Sequence, residues 1–206
     1  DATREDDVQR VFDACLSKWG RVDCLFNNAG GPAPVGGIET VPVEGFDAAM
    51  ATLVRSVMLG MKHAAPVMMK QGSGSIINNG SVAARRAGYS TSMVYGAAKA
   101  AVNHLTVCVA MQLGEKNVRV NSISPGYFAT DLNREFLASE AGEAMRKRIA
   151  MRRFGAFPDL DGALLLLASD VSPAIAEAVT NSAAVADAKK RAAFFTCRSH
   201  PKTPAE

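Results

Sequence analysis

Residues 94–126 read VYGAAKAAVNHLTVCVAMQLGEKNVRVNSISPG, and this stretch decides the fold class. Its first part, Val94–Leu113, has the length and apolar content of a buried helix, and Gly114 marks the helix end. The next apolar run, Val118–Ser124, is short and is stopped by Pro125-Gly126, which indicates a buried strand. A long helix followed directly by such a strand is typical of proteins in which helices cover a parallel sheet.

The same alternation extends along the chain on both sides of this unit. It predicts further helices over Asp6–Trp19 (ended by Gly20), Phe46–Met69 (broken near Pro66) and Asp159–Ala168, and further strands over Val22–Phe26 and Ser75–Asn79. Alternating helices and strands predict βαβ units. The fold class is therefore α/β, a partial doubly wound sheet of the Rossmann type, parallel and covered by helices on both faces.

Composition separates the chain into a domain and a tail. The 206 residues are 48% hydrophobic and 21% charged, as in one globular domain, which we assign to residues 1–172. Residues 173–206 differ in character. Their alanine content predicts a helix over Ala174–Ala193, and the last ten residues are expected to be disordered.

Charge and hydropathy exclude several classes of function. The net charge of +3 comes from residues 187–206, and no aromatic residues alternate with basic ones, so we expect no nucleic-acid partner. No apolar run reaches the roughly 20 residues that span a bilayer, and the first residues lack the apolar core of a secretory signal. We therefore expect no membrane association.

The cysteines indicate a reducing compartment. They are far apart and form no Cys-x-x-Cys pair, and the histidines do not lie at metal-ligand spacing beside them: Cys15, Cys24, Cys108 and Cys197. This pattern predicts a cytoplasmic protein without structural disulfides and without a metal site.

Tyr95 and Lys99 are the first candidate catalytic residues. At positions i and i+4 of a helix their side chains face the same way. An ammonium about 5 Å from a phenol would lower the phenol pKa by about two units from its ordinary value near 10. The pair could then pass a proton to or from an alcohol or ketone oxygen. The spacing alone is common by chance.

Other candidates follow predicted strands, at the edge where open α/β sheets bind ligands. Ser81 could hydrogen-bond a carbonyl oxygen, or it could simply cap a turn. Asn27-Asn28-Ala29-Gly30 would let backbone approach a flat ligand, or it could be a plain turn. Pro125-Gly126 closes the third strand, and Thr130 follows with a hydroxyl group.

Together these motifs resemble the classical short-chain dehydrogenase/reductase family. The segments that carry the resemblance, in chain order, are Asn27–Gly30, Ser81, Tyr95-x-x-x-Lys99, Val118–Asn121, Pro125-Gly126-x-x-x-Thr130, Arg153-Phe154-Gly155 and Ala168-Ser169-Asp170. The resemblance implies a dehydrogenase or reductase that uses NAD or NADP and acts on a small alcohol or ketone.

The resemblance also implies a role for each matching residue. Tyr95 would be the general acid/base, Lys99 would lower the Tyr95 pKa and hold the nicotinamide ribose, and Ser81 would position the substrate oxygen. The remaining cofactor contacts would be Asp1 at adenine; Asn28, Ala29 and Gly30 at adenosine; and Pro125, Gly126, Phe128 and Thr130 towards the nicotinamide.

The chain departs from the family pattern in three places. The family's first strand and Gly-rich phosphate turn are absent, so the chain is expected to begin about 60 residues late and to lack the residue that selects NAD or NADP. Leu53 stands where the family usually carries an active-site asparagine. After Ser172 the sequence changes abruptly, as a frameshift would produce. These departures predict three remaining strands, with Val22–Phe26 at an exposed edge.

Two functions stay open on the sequence. One is the enzyme. The other is an inactive fragment or pseudoenzyme that serves as an oligomerisation subunit, since the family forms dimers or tetramers through its helices. An apolar stripe on the long helix fits a dimer face and fits core packing equally well: Val102, Leu105, Val109 and Leu113.

The substrate-covering segment would be Ala129–Arg153. Its apolar candidates, with two tyrosines that could reach the site, suggest a moderately apolar alcohol or ketone: Leu132, Phe136, Leu137, Met145, Tyr89 and Tyr127.

Overall fold

The sheet in the described part of the chain is parallel and has four strands in the order β1-β2-β3-β4. A computed structural model describes residues 1–88, 90–131, 133–170 and the backbone of 179–181. The strands are β1 (Cys24–Asn27), β2 (Gly74–Asn79), β3 (Val118–Ser124) and β4 (Val179–Asn181). The three predicted strands are confirmed, and β3 has the predicted bounds.

Helices cover both faces of this sheet, as predicted. They are α1 (Glu5–Trp19), α2 (Val43–Met50), α3 (Ser56–Gln71), α4 (Met93–Leu113), α5 (Arg134–Ala138), α6 (Glu140–Arg148) and α7 (Pro158–Ala168). On one face Ile76 and Val120 pack beneath α3 and α4 in the main core. On the other face Ile77 and Ile123 pack against Leu167 of α7. Neighbouring strand residues point to opposite faces, so the continuous apolar runs supply both layers.

Two predicted helix ends are confirmed. Gly20 has a positive φ of 72°, and its amide donates to the Leu16 carbonyl at 2.8 Å, which ends α1. Glycine takes this left-handed conformation without the steric penalty of a Cβ. At the end of α4, the amide of Gly114 donates to the carbonyl of Ala110.

The expected break near Pro66 is wrong. Pro66 lies inside α3 at an exposed position, one turn after the exposed Lys62, whose carbonyl it cannot bond. The interruption lies earlier, at Ala51–Arg55, which forms a π-helical turn between α2 and α3. A π turn inserts one extra residue into the helix and is frequent at functional sites.

The expectation of only three strands is also wrong. Val179–Asn181 pairs in parallel with Ser122–Ser124 as β4. At these three positions the helix predicted over Ala174–Ala193 is contradicted, because the residues there are not alanines: Val179 and Thr180 are β-branched and favour a strand. The rest of the predicted tail lies outside the described residues. At the opposite side of the sheet, β1 is the edge strand, as predicted, and Phe26 is 40% exposed.

Candidate active site

Ser81 follows β2 and is buried, with 8% of its surface exposed. Its Oγ accepts a hydrogen bond from the amide of Ala83 at 3.1 Å, which caps the short turn Val82–Ala84. The same side chain also acts on the phenol of Tyr95, whose pKa it lowers against the effect of burial. The capping role and the site role are therefore compatible, and the structure brings Ser81 and Tyr95 together.

Hydrogen bonds at the start of α4 fix the position of Tyr95 on the helix. The Oγ of Ser92 accepts from the Tyr95 amide at 3.1 Å and donates to the Pro34 carbonyl at 2.6 Å. One turn later, Lys99 is only 4% exposed and donates from Nζ to the Asn79 carbonyl at 2.6 Å. Lys99 Nζ lies 5.8 Å from the centroid of the Tyr95 ring. The predicted pair therefore shares one face of α4.

Burial dominates the electrostatics of the pair. It raises the pKa of Tyr95 above its ordinary value, and the Ser81 side chain opposes this rise. Burial also lowers the pKa of Lys99 to about 8. The sequence predicted the opposite direction for Tyr95. The difference arises because a buried phenolate is costly and the Lys99 ammonium bonds the Asn79 carbonyl.

Leu53 forms an apolar wall beside Tyr95. It lies in the π-helical turn, is 1% exposed, and belongs to one cluster with Val94, Ala98 and the partly buried Tyr95. A leucine side chain has no donor or acceptor, so it cannot hold a water molecule at this position.

A hydrogen-bonded asparagine pair, the half-buried Asn27 and the buried Asn78, joins the ends of β1 and β2, and sequence reasoning missed it. The Nδ2 of Asn27 donates to Asn78 Oδ1 at 2.8 Å, and Asn78 Nδ2 donates to Thr106 Oγ1 at 2.9 Å. Gly60 faces the pair so closely that a Cβ there would collide with the Asn27 side chain. The sequence feature that could have revealed this pair is an asparagine inside an otherwise apolar strand, because buried polar groups need hydrogen-bond partners.

A second asparagine pair lies one residue further along the same strands. The Nδ2 of Asn79 donates to Asn28 Oδ1 at 2.7 Å. Asn28 is exposed and Asn79 is half-buried, in contrast to the fully buried Asn78. Asn79 was predicted only as a strand residue.

An open cleft of about 250 Å³ borders the exposed side of β1. Three of the predicted cofactor residues, Asp1, Asn28 and Ala29, line it together. The Oδ1 of Asp1 also accepts from the amide and hydroxyl of Thr3, both at 2.8 Å. Gly30 lies just beyond, where an added Cβ would come no closer than 3.9 Å to Leu53 or to the Asn28 carbonyl.

The loop after β3 carries the other predicted cofactor residues. The carbonyl of Pro125 accepts from the Val82 amide at 3.0 Å, so the turn at Pro125-Gly126 lies beside the one that follows Ser81. Phe128 pairs with Gly155, and a Cβ at Gly155 would collide with the Phe128 ring. This contact explains the glycine of the Arg153-Phe154-Gly155 segment.

Asn133 shapes the segment around Thr130 and was not predicted. Its Oδ1 accepts from the Thr130 amide at 2.8 Å, and its Nδ2 donates to the Phe128 carbonyl at 2.9 Å. Such amide-to-backbone bonds stabilise turns. The contacts seen for Phe128 and Thr130 are thus within this loop and with Gly155.

The substrate-covering segment divides into two groups. Tyr127 and Met145 line a small cleft with Gly88, Arg148 and Ile149. Leu137 is instead buried at 8% exposure within the segment itself. Tyr89 and Leu132 lie outside the described residues.

Neither a membrane-spanning helix nor a metal-binding cluster occurs among the described residues. No helix among them is long and apolar enough to cross a membrane. No cluster of three or more His, Cys, Asp or Glu side chains in the described ranges could hold a metal ion.

Comparison with known proteins gives matches across most of the chain. The family model described as Enoyl-(Acyl carrier protein) reductase matches residues 1–188. The 7alpha-hydroxysteroid dehydrogenase of Escherichia coli K12 is 35% identical over 176 residues, which are 82% of this chain and 65% of that protein. The 2-(R)-hydroxypropyl-CoM dehydrogenase of Xanthobacter autotrophicus is 34% identical over 173 residues, covering 82% of this chain and 69% of the relative.

Several solved structures also match the fold of this chain. A short-chain type dehydrogenase/reductase from Mycobacterium ulcerans has a TM-score of 0.82 at 31% identity, over 87% of this chain and 66% of its own. Xylitol dehydrogenase with NAD⁺ bound has a TM-score of 0.77 at 28% identity, over 84% and 72% of the two chains. ElxO with NADP bound has a TM-score of 0.79 at 26% identity, over 87% and 73%.

The chain spans just under two thirds of the length of its first relative, the 7alpha-hydroxysteroid dehydrogenase. The matched stretch nevertheless holds the sheet, its covering helices and the Ser81, Tyr95 and Lys99 constellation. The chain belongs to the classical short-chain dehydrogenase/reductase family.

Proposed function

We propose that the protein is an NAD(P)-dependent oxidoreductase that interconverts an alcohol and a ketone by hydride transfer. The observation that carries this proposal is the meeting of three side chains at the carboxyl edge of the sheet. The Ser81 side chain lies near enough to the Tyr95 phenol to lower its pKa, and the ammonium of Lys99 lies one helical turn from Tyr95. A hydroxyl, a phenol and an ammonium together can hold a carbonyl oxygen and exchange a proton with it.

The residues present fit a nicotinamide dinucleotide. The cleft beside β1 exposes Asn28 and Ala29, and the space beside Gly30 leaves room for close approach of a flat group. Asp1, Asn28, Ala29 and Gly30 would hold the adenosine side, Lys99 the nicotinamide ribose, and Pro125, Gly126, Phe128 and Thr130 the nicotinamide end. When bound, the nicotinamide supplies or accepts the hydride.

Reduction of a ketone uses the protonated form of Tyr95. Because burial keeps the pKa of Tyr95 above its ordinary value, the phenol holds its proton at neutral pH. The phenol donates this proton to the substrate oxygen while the hydroxyl of Ser81 hydrogen-bonds to the same oxygen. The ammonium of Lys99, whose pKa is about 8, then stabilises the phenolate that remains.

Oxidation of an alcohol runs the same path in reverse. The phenolate of Tyr95 accepts the hydroxyl proton, so the raised Tyr95 pKa makes this direction favour alkaline solution. Ser81 keeps its hydrogen bond to the oxygen in both directions.

The substrate proposed is a moderately apolar alcohol or ketone. Tyr127 and Met145 meet in the small cleft of the covering segment, which supports an apolar contact there. We also propose that residues 1–172 form the catalytic domain, to whose sheet Val179–Asn181 adds a strand from the predicted tail 173–206.

A cytoplasmic location belongs to the same proposal. The three cysteines of the described ranges, Cys15, Cys24 and Cys108, form no disulfide with one another. Thiols that stay reduced are typical of the cytoplasm.

A second candidate function, a homo-oligomeric subunit without activity, has one observation in its favour. The predicted stripe on α4 packs into the core, since Val102 and Leu113 are 0% and 1% exposed. The opposite side of α4 exposes a different stripe of apolar and small residues: Met93, Ala97, Ala100, His104, Cys108 and Met111. Light scattering tests this candidate, because a monomer would exclude it.

The enzyme proposal is tested by titrating the chain with NADH and NADPH while following the fluorescence of the reduced nicotinamide. Saturable binding in the micromolar range, followed by turnover in a screen of ketones, is the expected result. Absence of binding up to about millimolar concentration, where affinity is only about −4 kcal/mol, would contradict the proposal.

A further inference from the structure

Asn79, the last residue of β2, contacts two of the proposed functional residues at once. Its backbone carbonyl accepts from Lys99 Nζ at 2.6 Å, and its side-chain amide donates to Asn28 Oδ1 at 2.7 Å. The position of Asn79 is fixed by its parallel pairing opposite Ile123 of β3. One residue therefore contacts both the proposed catalytic lysine and Asn28, which lines the cleft beside β1.

The two asparagine pairs differ in what they can contribute to folding. The inner pair joins the half-buried Asn27 to Asn78, which is fully buried, so an unpaired amide at Asn78 would be costly. Asn28 is exposed, so solvent can replace its hydrogen bond with Asn79 at little cost to the folded state. The outer pair is therefore better suited to orienting a side chain than to stabilising the fold.

The hydrogen bond also selects which end of Asn28 is left for a ligand. Because Oδ1 of Asn28 accepts from Asn79, its Nδ2 is the group that remains for the cleft. An amide nitrogen donates, so the ligand group beside it must be an acceptor such as a ribose or phosphate oxygen.

We propose that Asn79 is a positioning residue for cofactor binding: its side chain holds Asn28 with the donor nitrogen towards the cofactor, while its backbone carbonyl anchors Lys99. This inference rests on the proposed function. The two roles are separable by mutation, because replacing the side chain removes the bond to Asn28 and leaves the carbonyl that Lys99 uses.

The test is a double-mutant cycle on cofactor affinity, measured by nicotinamide fluorescence with NADH and NADPH. The four proteins are the wild-type chain, Asn79→Ala, Asn28→Ala and the double variant. Each single change should raise the Kd about three- to tenfold, as expected for one lost hydrogen bond. In the Asn28→Ala background, Asn79→Ala should change the Kd by less than about twofold, because the partner is already gone.

Turnover separates positioning from a general structural defect. Asn79→Ala should raise the KM for the cofactor and leave kcat within about twofold, since Lys99 keeps its backbone acceptor. A matched control is Asn117→Gly, which removes an amide bond to the Gly72 carbonyl at the other end of the sheet. Glycine keeps the φ of 58° at that position, and this control should leave the Kd unchanged.

A further variant guards against loss of folding. Asn28→Asp keeps an acceptor for Asn79 but replaces the donor nitrogen with an oxygen, so it should raise the Kd at least three- to tenfold although the bond to Asn79 is retained, and Asn79→Ala should then add less than about twofold. Equal effects of Asn79→Ala in the wild-type and Asn28→Ala backgrounds would overturn the inference, as would an unchanged Kd for Asn79→Ala. If the wild-type chain binds neither NADH nor NADPH, it is the proposed function that fails.

Discussion

Ser81 and Lys99 lie against the packed core, whereas Asn28, Ala29 and Gly30 lie on the exposed border of β1. Lys99 is 4% exposed and Ser81 is 8% exposed, and both have their hydrogen bonds inside the protein. The residues beside β1 instead line an open cleft. The fold thus pre-forms the proposed proton-transfer groups, while the proposed cofactor residues are available to a ligand.

This difference predicts that the two regions respond differently to mutation. Changes among the buried groups should alter both chemistry and stability, because those side chains belong to the core. Changes on the exposed border should alter cofactor affinity with little effect on folding.

Ser81→Ala should have the largest effect among the variants that test this comparison. Loss of one donor to the substrate oxygen should lower kcat about 10²–10³-fold. Loss of the cap on Val82–Ala84 should also reduce the free energy of unfolding by about 1 kcal/mol. Ser139→Ala is the matched control, since Ser139 caps α6 through the Gly142 amide. Steady-state kinetics and denaturant unfolding measure both effects, and equal kinetic losses in the two variants would contradict the role of Ser81.

Lys99→Met should lower kcat about 100-fold and yet stabilise the folded chain. The ammonium contributes roughly 3 kcal/mol to a phenolate at 5 Å, which accounts for the kinetic loss. Its folded pKa of about 8 lies below the ordinary lysine pKa of 10.5, so the unfolded chain binds more protons between these pH values. Wild-type stability should therefore rise across that interval, and the substitution should add about 1–3 kcal/mol at pH 7. Urea unfolding at pH 7 and pH 10 measures the free energy of unfolding of both proteins. A Lys99→Met variant that is less stable than the wild type, and whose stability changes with pH as the wild type's does, would contradict this prediction.

The rates of ketone reduction and alcohol oxidation should depend on pH in different ways. Where a single proton controls a rate, that rate should change about tenfold per pH unit. Ketone reduction needs the Tyr95 proton and the Lys99 charge, so it should be level below pH 8 and decline above it. Alcohol oxidation needs the phenolate, so it should rise with pH because the Tyr95 pKa is raised. Initial rates in both directions from pH 6 to 10 measure the divergence. Parallel profiles would show that Tyr95 is not the titrating group.

Two glycine substitutions should give the smallest effects, but each should change only one property: cofactor affinity for Gly30→Ala and stability for Gly60→Ala. Gly30→Ala places a Cβ no closer than 3.9 Å to its neighbours, so the melting temperature should hold while the Kd for NADH rises about tenfold. Gly60→Ala places a Cβ into the Asn27 side chain, so stability should fall by about 1–3 kcal/mol. Thermal unfolding and fluorescence titration of both variants test the contrast. A destabilised Gly30→Ala with normal affinity would reverse it.

The sequence predicted those elements whose signals are local. Val118–Ser124 is a continuous apolar run with Pro125 after it, and the structure gives the same bounds. Gly20 follows an amphipathic helix and ends it as expected. Both depend on residues that are neighbours in the chain.

The features that were missed depend on contacts between distant residues. The β4 strand is formed by pairing with the distant β3, which the alanine content of the residues around it does not reveal. The Tyr95 pKa follows from burial rather than from the spacing to Lys99. The role of Asn79 requires knowing that β1 and β2 are neighbours.

The most direct test of the central claim is turnover by Tyr95→Phe, which removes the phenol oxygen and keeps the ring. The account predicts that kcat for ketone reduction falls about 10³-fold while the Kd for the cofactor stays within about twofold, because only the proton donor is lost. Retention of wild-type turnover by Tyr95→Phe would contradict the assignment of Tyr95 as the general acid and base.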